Sequence, residues 1–202
     1  VELSFESVTT VSQAEFAEWC DQHAGWDPHR YELLNGRVVM NPPAGFPHGS
    51  IATRVVHLLH QFAQDHGLGE VLESSQGFEL PSGDSVAADA SFVSTARWSA
   101  MPTPKDGRFL RVVPDLIVEV LSKSTRSRDR GEKKAIYAAN GVREYWLIDP
   151  VARTLQVFLR PVDQERFDDG TLLAESDDYH APAGDAVLAG LAFAVSALFL
   201  AR

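Results

Sequence analysis

The sequence predicts a mixed α/β fold, in which helices pack on a sheet of parallel and antiparallel strands. Three observations predict it. Asn35-Gly36 lies between two short β-prone runs, a strong hairpin signal. Between His48 and His66, Ile51, Val55, Leu58, Leu59 and Phe62 recur at helical spacing and make one apolar face. Residues 112–121 form an almost unbroken apolar run, the signature of a strand buried on both faces. Helices and strands alternate, without the regular beat of a doubly wound sheet.

The elements follow in order. A first helix is expected over 12–23, where Ser12 and Glu15 fit a capping box ahead of Phe16 and Trp19. Asp27-Pro28 breaks the chain. Hairpin strands over 31–34 and 37–40 follow, and Asn41-Pro42-Pro43-Ala44-Gly45 ends the second. Gly67 and Gly69 stop the long helix. Two strands are expected near 70–80 and 86–93, around Pro81-Ser82-Gly83-Asp84. Residues 94–110, with Pro102, Pro104 and Gly107, read as a long loop, a length often tied to function. A helix over 128–140 is closed by Gly141. Strands over 144–148 and 154–159 follow, the first turned by Asp149-Pro150. The tail, 187–200, reads as a strand and a short helix. Its Leu191, Phe193, Leu198, Phe199 and Leu200 suit either the core or a homodimer interface. The 202 residues are expected to form one domain: helix and hairpin over about 10–42, core over about 46–160, tail over about 161–202.

Composition narrows the function. With 28 acidic against 18 basic residues the net charge is −10, which disfavours indiscriminate coating of nucleic acid. Lys123, Arg126, Arg128, Arg130, Lys133 and Lys134 nonetheless cluster, either as a solvated helix start or as a local contact for phosphates. The single cysteine, Cys20, excludes an internal disulfide and a multi-cysteine zinc site. Cys20 and His23 share a helix face, but two ligands do not make a zinc centre. No apolar stretch reaches the length of a membrane span. No basic-then-apolar leader opens the chain, so a cytoplasmic protein is expected. Walker, G-x-S-x-G and G-x-G-x-x-G patterns are absent from the sequence, which leaves kinase, serine-hydrolase and Rossmann readings unsupported.

Two carboxylates stand in apolar surroundings that need a reason. Glu119 lies in Leu116-Ile117-Val118-Glu119-Val120-Leu121, and Asp89 lies in Val86-Ala87-Ala88-Asp89-Ala90-Ser91-Phe92-Val93. Placed mid-strand on neighbouring strands, they would offer hard oxygen ligands of the kind Mg²⁺ prefers. The alternative is an acid paired with a buried cation such as Lys133. Asp115 shares a strand face with Glu119, but four strand steps put it roughly 13 Å away. It is read as a supporting residue where the strand begins. Asp129, Lys133 and Tyr137 are spaced by four and share a helix face, so Lys133 over Asp89 and Glu119 would hold a phosphate or a metal-bound hydroxide. The alternative is an ordinary exposed Asp129–Lys133 pair. His48 opens the long helix, where backbone N–H groups favour anions. Glu32 lies in the hairpin and either faces the same cleft or sits on the surface.

These residues resemble a known family. Tyr31-Glu32-Leu33-Leu34-Asn35-Gly36, His48, Ala88-Asp89-Ala90-Ser91-Phe92-Val93 and Pro114-Asp115-Leu116-Ile117-Val118-Glu119-Val120-Leu121-Ser122 are similar to the Uma-two family of restriction-endonuclease-like proteins, within the PD-(D/E)XK nuclease superfamily. The likeness continues through Asp129, Lys133, Tyr137 and Gly141-Val142-Arg143-Glu144-Tyr145-Trp146, and covers about residues 10–200. It implies a mixed central sheet flanked by helices and metal-dependent phosphodiester cleavage, DNA first among substrates. Asp89 and Glu119 match the two acids of the superfamily motif, and Glu32 and His48 match positions lining the cleft.

Two departures stand out. Ala88 replaces the usual proline, which sets only backbone shape. Glu119-Val120-Leu121 lacks the motif's lysine, which the branch it resembles supplies from the following helix, as Lys133 would here. The expected site is therefore Asp89, Glu119, Lys133, His48 and Glu32. Asp89 and Glu119 hold Mg²⁺ (or Mn²⁺), helped by a backbone carbonyl near Val120. Arg126, Arg128 and Arg130 contact the nucleic acid, and a homodimer suits double-strand cutting. The rival readings are a non-catalytic binding module on the same scaffold and a metal-dependent hydrolase of small phosphorylated substrates.

Overall fold

The apolar run at 112–121 becomes the interior of a six-stranded sheet. The computed structural model describes residues 5–7, 9–23, 30–43, 45–105, 107–182 and 187–200. The Asp27-Pro28 break and Ala44 lie outside them. Along the chain come β1 (Phe5–Glu6), α1 (Gln13–His23), β2 (Arg30–Leu34), β3 (Arg37–Asn41), α2 (His48–His66), β4 (Gly69–Glu73), β5 (Phe78–Glu79), β6 (Ser85–Val86), β7 (Ala90–Ser94), α3 (Thr95–Ala100), β8 (Leu116–Val120), a helix over 126–139, β9 (Glu144–Asp149), β10 (Thr154–Leu159), β11 (Thr171–Ala174), β12 (Asp178–His180) and β13 (Ala192–Ala194).

The large sheet runs β11-β10-β9-β8-β7-β4. Its β8–β9 pair is parallel and the others antiparallel, so the sheet is mixed, as expected. The helix over 126–139 is the crossover that a parallel pair requires. A second sheet, β1-β3-β2-β6-β5, carries the hairpin. Asn35 and Gly36 both take positive φ, 50° and 75°, the turn that matches strand twist. The capping box forms: the Ser12 N–H donates to Glu15 Oε2 at 2.8 Å and the Glu15 N–H to Ser12 Oγ at 3.3 Å.

Alternation along β8 sorts its side chains to two faces. Leu116, Val118 and Val120 pack with Ile51, Val55, Leu59 and Ala63 of α2, with Trp146 and with Leu155. Ile117 and Leu121 turn to the other face, with Ile136, Tyr137 and Ala138 and with Leu34, Val39 and Val86 of the small sheet. Each fully buried large aliphatic is worth about 1.5–3 kcal/mol, so α2 is held chiefly by Ile51, Val55 and Leu59. Glu119 shares the second face, between sheet and helix. That alternation puts one carboxylate into an apolar layer.

Four expectations change. The strands expected over 70–80 and 86–93 are each broken in two, because their ends join different sheets: β6 pairs with β2 and β5, and β7 pairs with β4 and β8. Asp89 therefore stands just before β7, at the crossing between sheets, and not mid-strand. The 94–110 segment opens as α3, with the Ser94 side chain capping the Arg97 N–H. The 126–139 helix starts two residues earlier than expected and contains a π-helical turn at Asp129–Lys133, between Arg126–Arg128 and Lys134–Ala139. Strands β11 and β12 were not marked by any apolar pattern, since β11 is largely exposed.

Gly69 tests the edge of the large sheet. Its φ is 150°, and a Cβ there would strike the Val93 carbonyl oxygen, with Ser94 Cα at 2.8 Å. Gly69→Ala is expected to cost more than about 2 kcal/mol and lower Tm by roughly 5 °C or more in a circular-dichroism melt. An unchanged melt would contradict this packing.

Candidate active site

The site forms where the two sheets and the 126–139 helix meet. Glu32 comes from β2, Asp89 from the crossing before β7, Glu119 from β8 and Lys133 from the π turn. His48 comes from the start of α2. All five line one cleft of about 700 Å³, with Arg30, Asn41, Arg128 and Asp129. Glu32, Asp89, Glu119, Asp129 and Lys133 are each 5% exposed or less.

Lys133 bridges two carboxylates. Its Nζ lies 2.6 Å from Glu119 Oε1 and 2.9 Å from Glu32 Oε1. The sequence reading put this lysine over Asp89 and Glu119; its acids are Glu32 and Glu119. The exposed Asp129–Lys133 pair is not what forms, because the π turn buries both residues. Tyr137 donates its hydroxyl to Glu119 Oε1 at 2.8 Å, so Lys133 and Tyr137 both engage Oε1 and neither engages Oε2. Glu32 is fixed from three sides: Lys133, the Ala87 N–H at 2.9 Å and Asn41 Nδ2 at 2.7 Å.

Asp89 has its own partners. Its Oδ2 accepts the Val120 N–H at 2.8 Å and meets His48 Nε2 at 3.0 Å. Its Oδ1 accepts from Arg30 NH2 at 3.2 Å. Val120 thus meets the site through its N–H, which ties Asp89 to the residue after Glu119.

The charge balance is uneven. Burial pushes Glu119 up to about 8; Lys133 opposes this, and Asp129, Asp89 and Glu32 add to it. Burial likewise raises Asp129 to about 6, against Lys133 and a Thr125 hydrogen bond. Burial alone would lower Lys133, but Glu119, Glu32 and Asp129 hold it well above its ordinary value. Asp89 is the exception. Burial works against its ionisation, yet His48, Arg30 and the Val120 N–H pull it below the usual carboxylate range. At Glu119, burial and the three neighbouring acids outweigh Lys133.

Among the described residues no three His, Cys, Asp or Glu side chains are grouped as a ready metal site. Mg²⁺ does not need one, since it commonly takes one or two carboxylates and completes its shell with water and substrate phosphate. Asp89 and Glu119, two buried carboxylates on the wall of one cleft, fit that donor set.

Of the three arginines expected at nucleic acid, only Arg128 lines the cleft, where its NH1 meets Asn41 Oδ1 at 3.1 Å. Arg126 and Arg130 face Asp149, at 2.9 and 3.8 Å. Asp115 sits ahead of β8, accepting the Ser94 N–H and pairing with Arg97 at 3.1 Å, a supporting role where the strand begins. Sequence reasoning missed Arg30 and Asn41. Arg30 stands two residues before Glu32 and so shares its strand face, and Asn41 pairs with Arg30 across the hairpin. That periodicity was the available signal.

A mixed sheet with a crossover helix, and with acids and a lysine gathered at its middle, is a restriction-endonuclease-type nuclease fold. It matches a solved structure from Anabaena variabilis ATCC 29413, described as "a putative nuclease belonging to DUF820", with a TM-score of 0.69 over 93% of this chain and 97% of that one, at 18% identity. The chain belongs to the Uma2 family, described as "Putative restriction endonuclease", whose profile matches residues 13–185. No curated protein matches it.

Proposed function

We propose that the protein is a Mg²⁺-dependent endonuclease that hydrolyses phosphodiester bonds in DNA. The observation that carries this reading is the buried set of Asp89, Glu119 and Lys133 in one cleft. Asp89 and Glu119 would hold the ion, which when bound polarises the scissile phosphate and lowers the pKa of water. Lys133 has three N–H donors. Two go to Glu32 and Glu119, and the third is left for the attacking water or for charge growing on the phosphate. Glu32 holds that ammonium in place, and Asn41 and the Ala87 N–H hold Glu32. His48, fixed by Asp89, orients the phosphate. Water adds to phosphorus, the bond to the leaving sugar oxygen breaks, and a proton ends on that oxygen.

One observation favours a second reading, a non-catalytic module on this scaffold. Lys133 and Arg30 already pair Glu119 and Asp89 without a metal, and the net charge is −10. Calorimetric Mg²⁺ titration with a DNA cleavage assay separates the two. Wild type is expected to bind Mg²⁺ saturably and to cut only with it. Asp89→Asn and Glu119→Gln should lose cleavage by roughly 10²–10³-fold, and Glu119→Gln should also lose binding. Variants that cut at the wild-type rate would sink the endonuclease reading; a wild type that binds DNA but never cuts it would favour the module.

A further inference from the structure

A second groove, of about 640 Å³, opens beside the cleft and shares Arg30, His48 and Asp89 with it. It follows α2 from His48 past His57 to His60, with Glu73 and Ser74 at its side. Twelve helical residues span about 18 Å, so the groove leads well away from the acids. Arg30 stands where the two spaces join. Its NH2 is taken by Asp89. Its NH1 is buried and has no hydrogen-bond partner among the described residues, so it bears the desolvation cost of burial with no bond in return.

We propose that this groove binds the substrate strand beside the cut, with Arg30 NH1 donating to the phosphodiester next to the scissile one. The inference rests on the nuclease reading and adds a binding residue and the path of the strand. Guanidinium is the group best matched to phosphate oxygens. NH2 is held on Asp89, so the guanidinium is anchored at the groove, and NH1, covered in the folded chain, meets a phosphate once the side chain turns slightly outward. His57 and His60 offer ring nitrogens along the path. Glu73 opposes it as a negative charge on the groove wall, and removing that charge should help a polyanion bind.

The test is anisotropy of a labelled single-stranded DNA oligonucleotide in EDTA, across a salt series, where cleavage plays no part. Arg30→Gln is expected to weaken binding about tenfold and to lower the salt slope by about one. Arg30→Lys keeps a charge beside Asp89 but cannot serve two acceptors in a fixed fork, so it should not restore affinity. Glu73→Gln, which leaves Arg30 in place, should tighten binding by a few fold. Unchanged affinity and slope in Arg30→Gln, full rescue by Arg30→Lys, or no gain in Glu73→Gln would each overturn the proposal while leaving the nuclease reading intact. A wild type that binds no oligonucleotide, with or without Mg²⁺, would overturn both.

Discussion

Lys133→Met is expected to lose cleavage by roughly 10²–10³-fold and to lose about 3–5 kcal/mol of stability. The stability loss follows from what the ammonium leaves behind. Glu32 and Glu119 lie within 3 Å of the same nitrogen, both are buried, and no other cation contacts either of them among the described residues. A buried carboxylate stripped of its partner costs far more than the pair itself contributes. Adding Glu32→Gln to Lys133→Met removes the charge stranded on Glu32, while Glu119, already raised by burial, can take up a proton. The double variant should regain part of the stability, read by urea denaturation, and none of the activity. If activity returned with stability, Lys133 would be a structural cation and not a catalytic one.

Trp146→Ala is expected to cost about 3–5 kcal/mol, independently of the cleft. The indole is fully buried on the α2 face, 4.9 Å from the Tyr179 ring and 5.8 Å from Phe193. It also donates Nε1 to Glu144 Oε1 at 2.7 Å, an oxygen that accepts the Tyr179 hydroxyl at 2.8 Å as well. Burial raises Glu144 above the usual carboxylate range, and these two donors and Arg143 only partly offset it. The folded protein therefore holds this proton more tightly than the unfolded chain. The associated stability is present below the unfolded pKa and is lost as pH rises through the folded one. Trp146→Phe keeps a ring but removes a donor, which raises Glu144 further. Its urea-measured deficit should be smaller at pH 5 than at pH 8; a deficit flat across that range would show that Glu144 is not burdened by burial.

Much of the architecture was legible because local chemistry and tertiary demand agreed. Asn35-Gly36 specifies its turn wherever it sits. The α2 stripe gives the helix His48–His66 at both ends, with Gly67 at φ 62° closing it. Glu119 was legible because an acid inside an apolar strand is costly without a reason. The break at 87–89 was not legible: Ala87-Ala88-Asp89 contains no glycine or proline, and the strand ends there only because its halves belong to two sheets. Lys133 was placed on the right helix face, but its true partner Glu32 lies about a hundred residues earlier, beyond any spacing rule. Arg30 and Asn41 carry no signal except their alternation with Glu32.

The π turn at Asp129–Lys133 has a consequence for how this helix can vary. It is one residue more than a regular helix would use between the same two ends. Arg128 and Asp129 lie before or at its start, and Lys133 and Tyr137 at its end and beyond. The extra residue is absorbed inside the turn, so the segments on either side keep the phase that a regular helix would give them. Deleting Gly131, where a Cβ would meet nothing within 4 Å, would return the turn to regular helix and leave the segments on either side nearly where they are. The arginine and the lysine of this cleft thus belong to the flanking segments and not to a fixed residue count, and the helix can lose one residue at the turn while both side chains stay in the cleft.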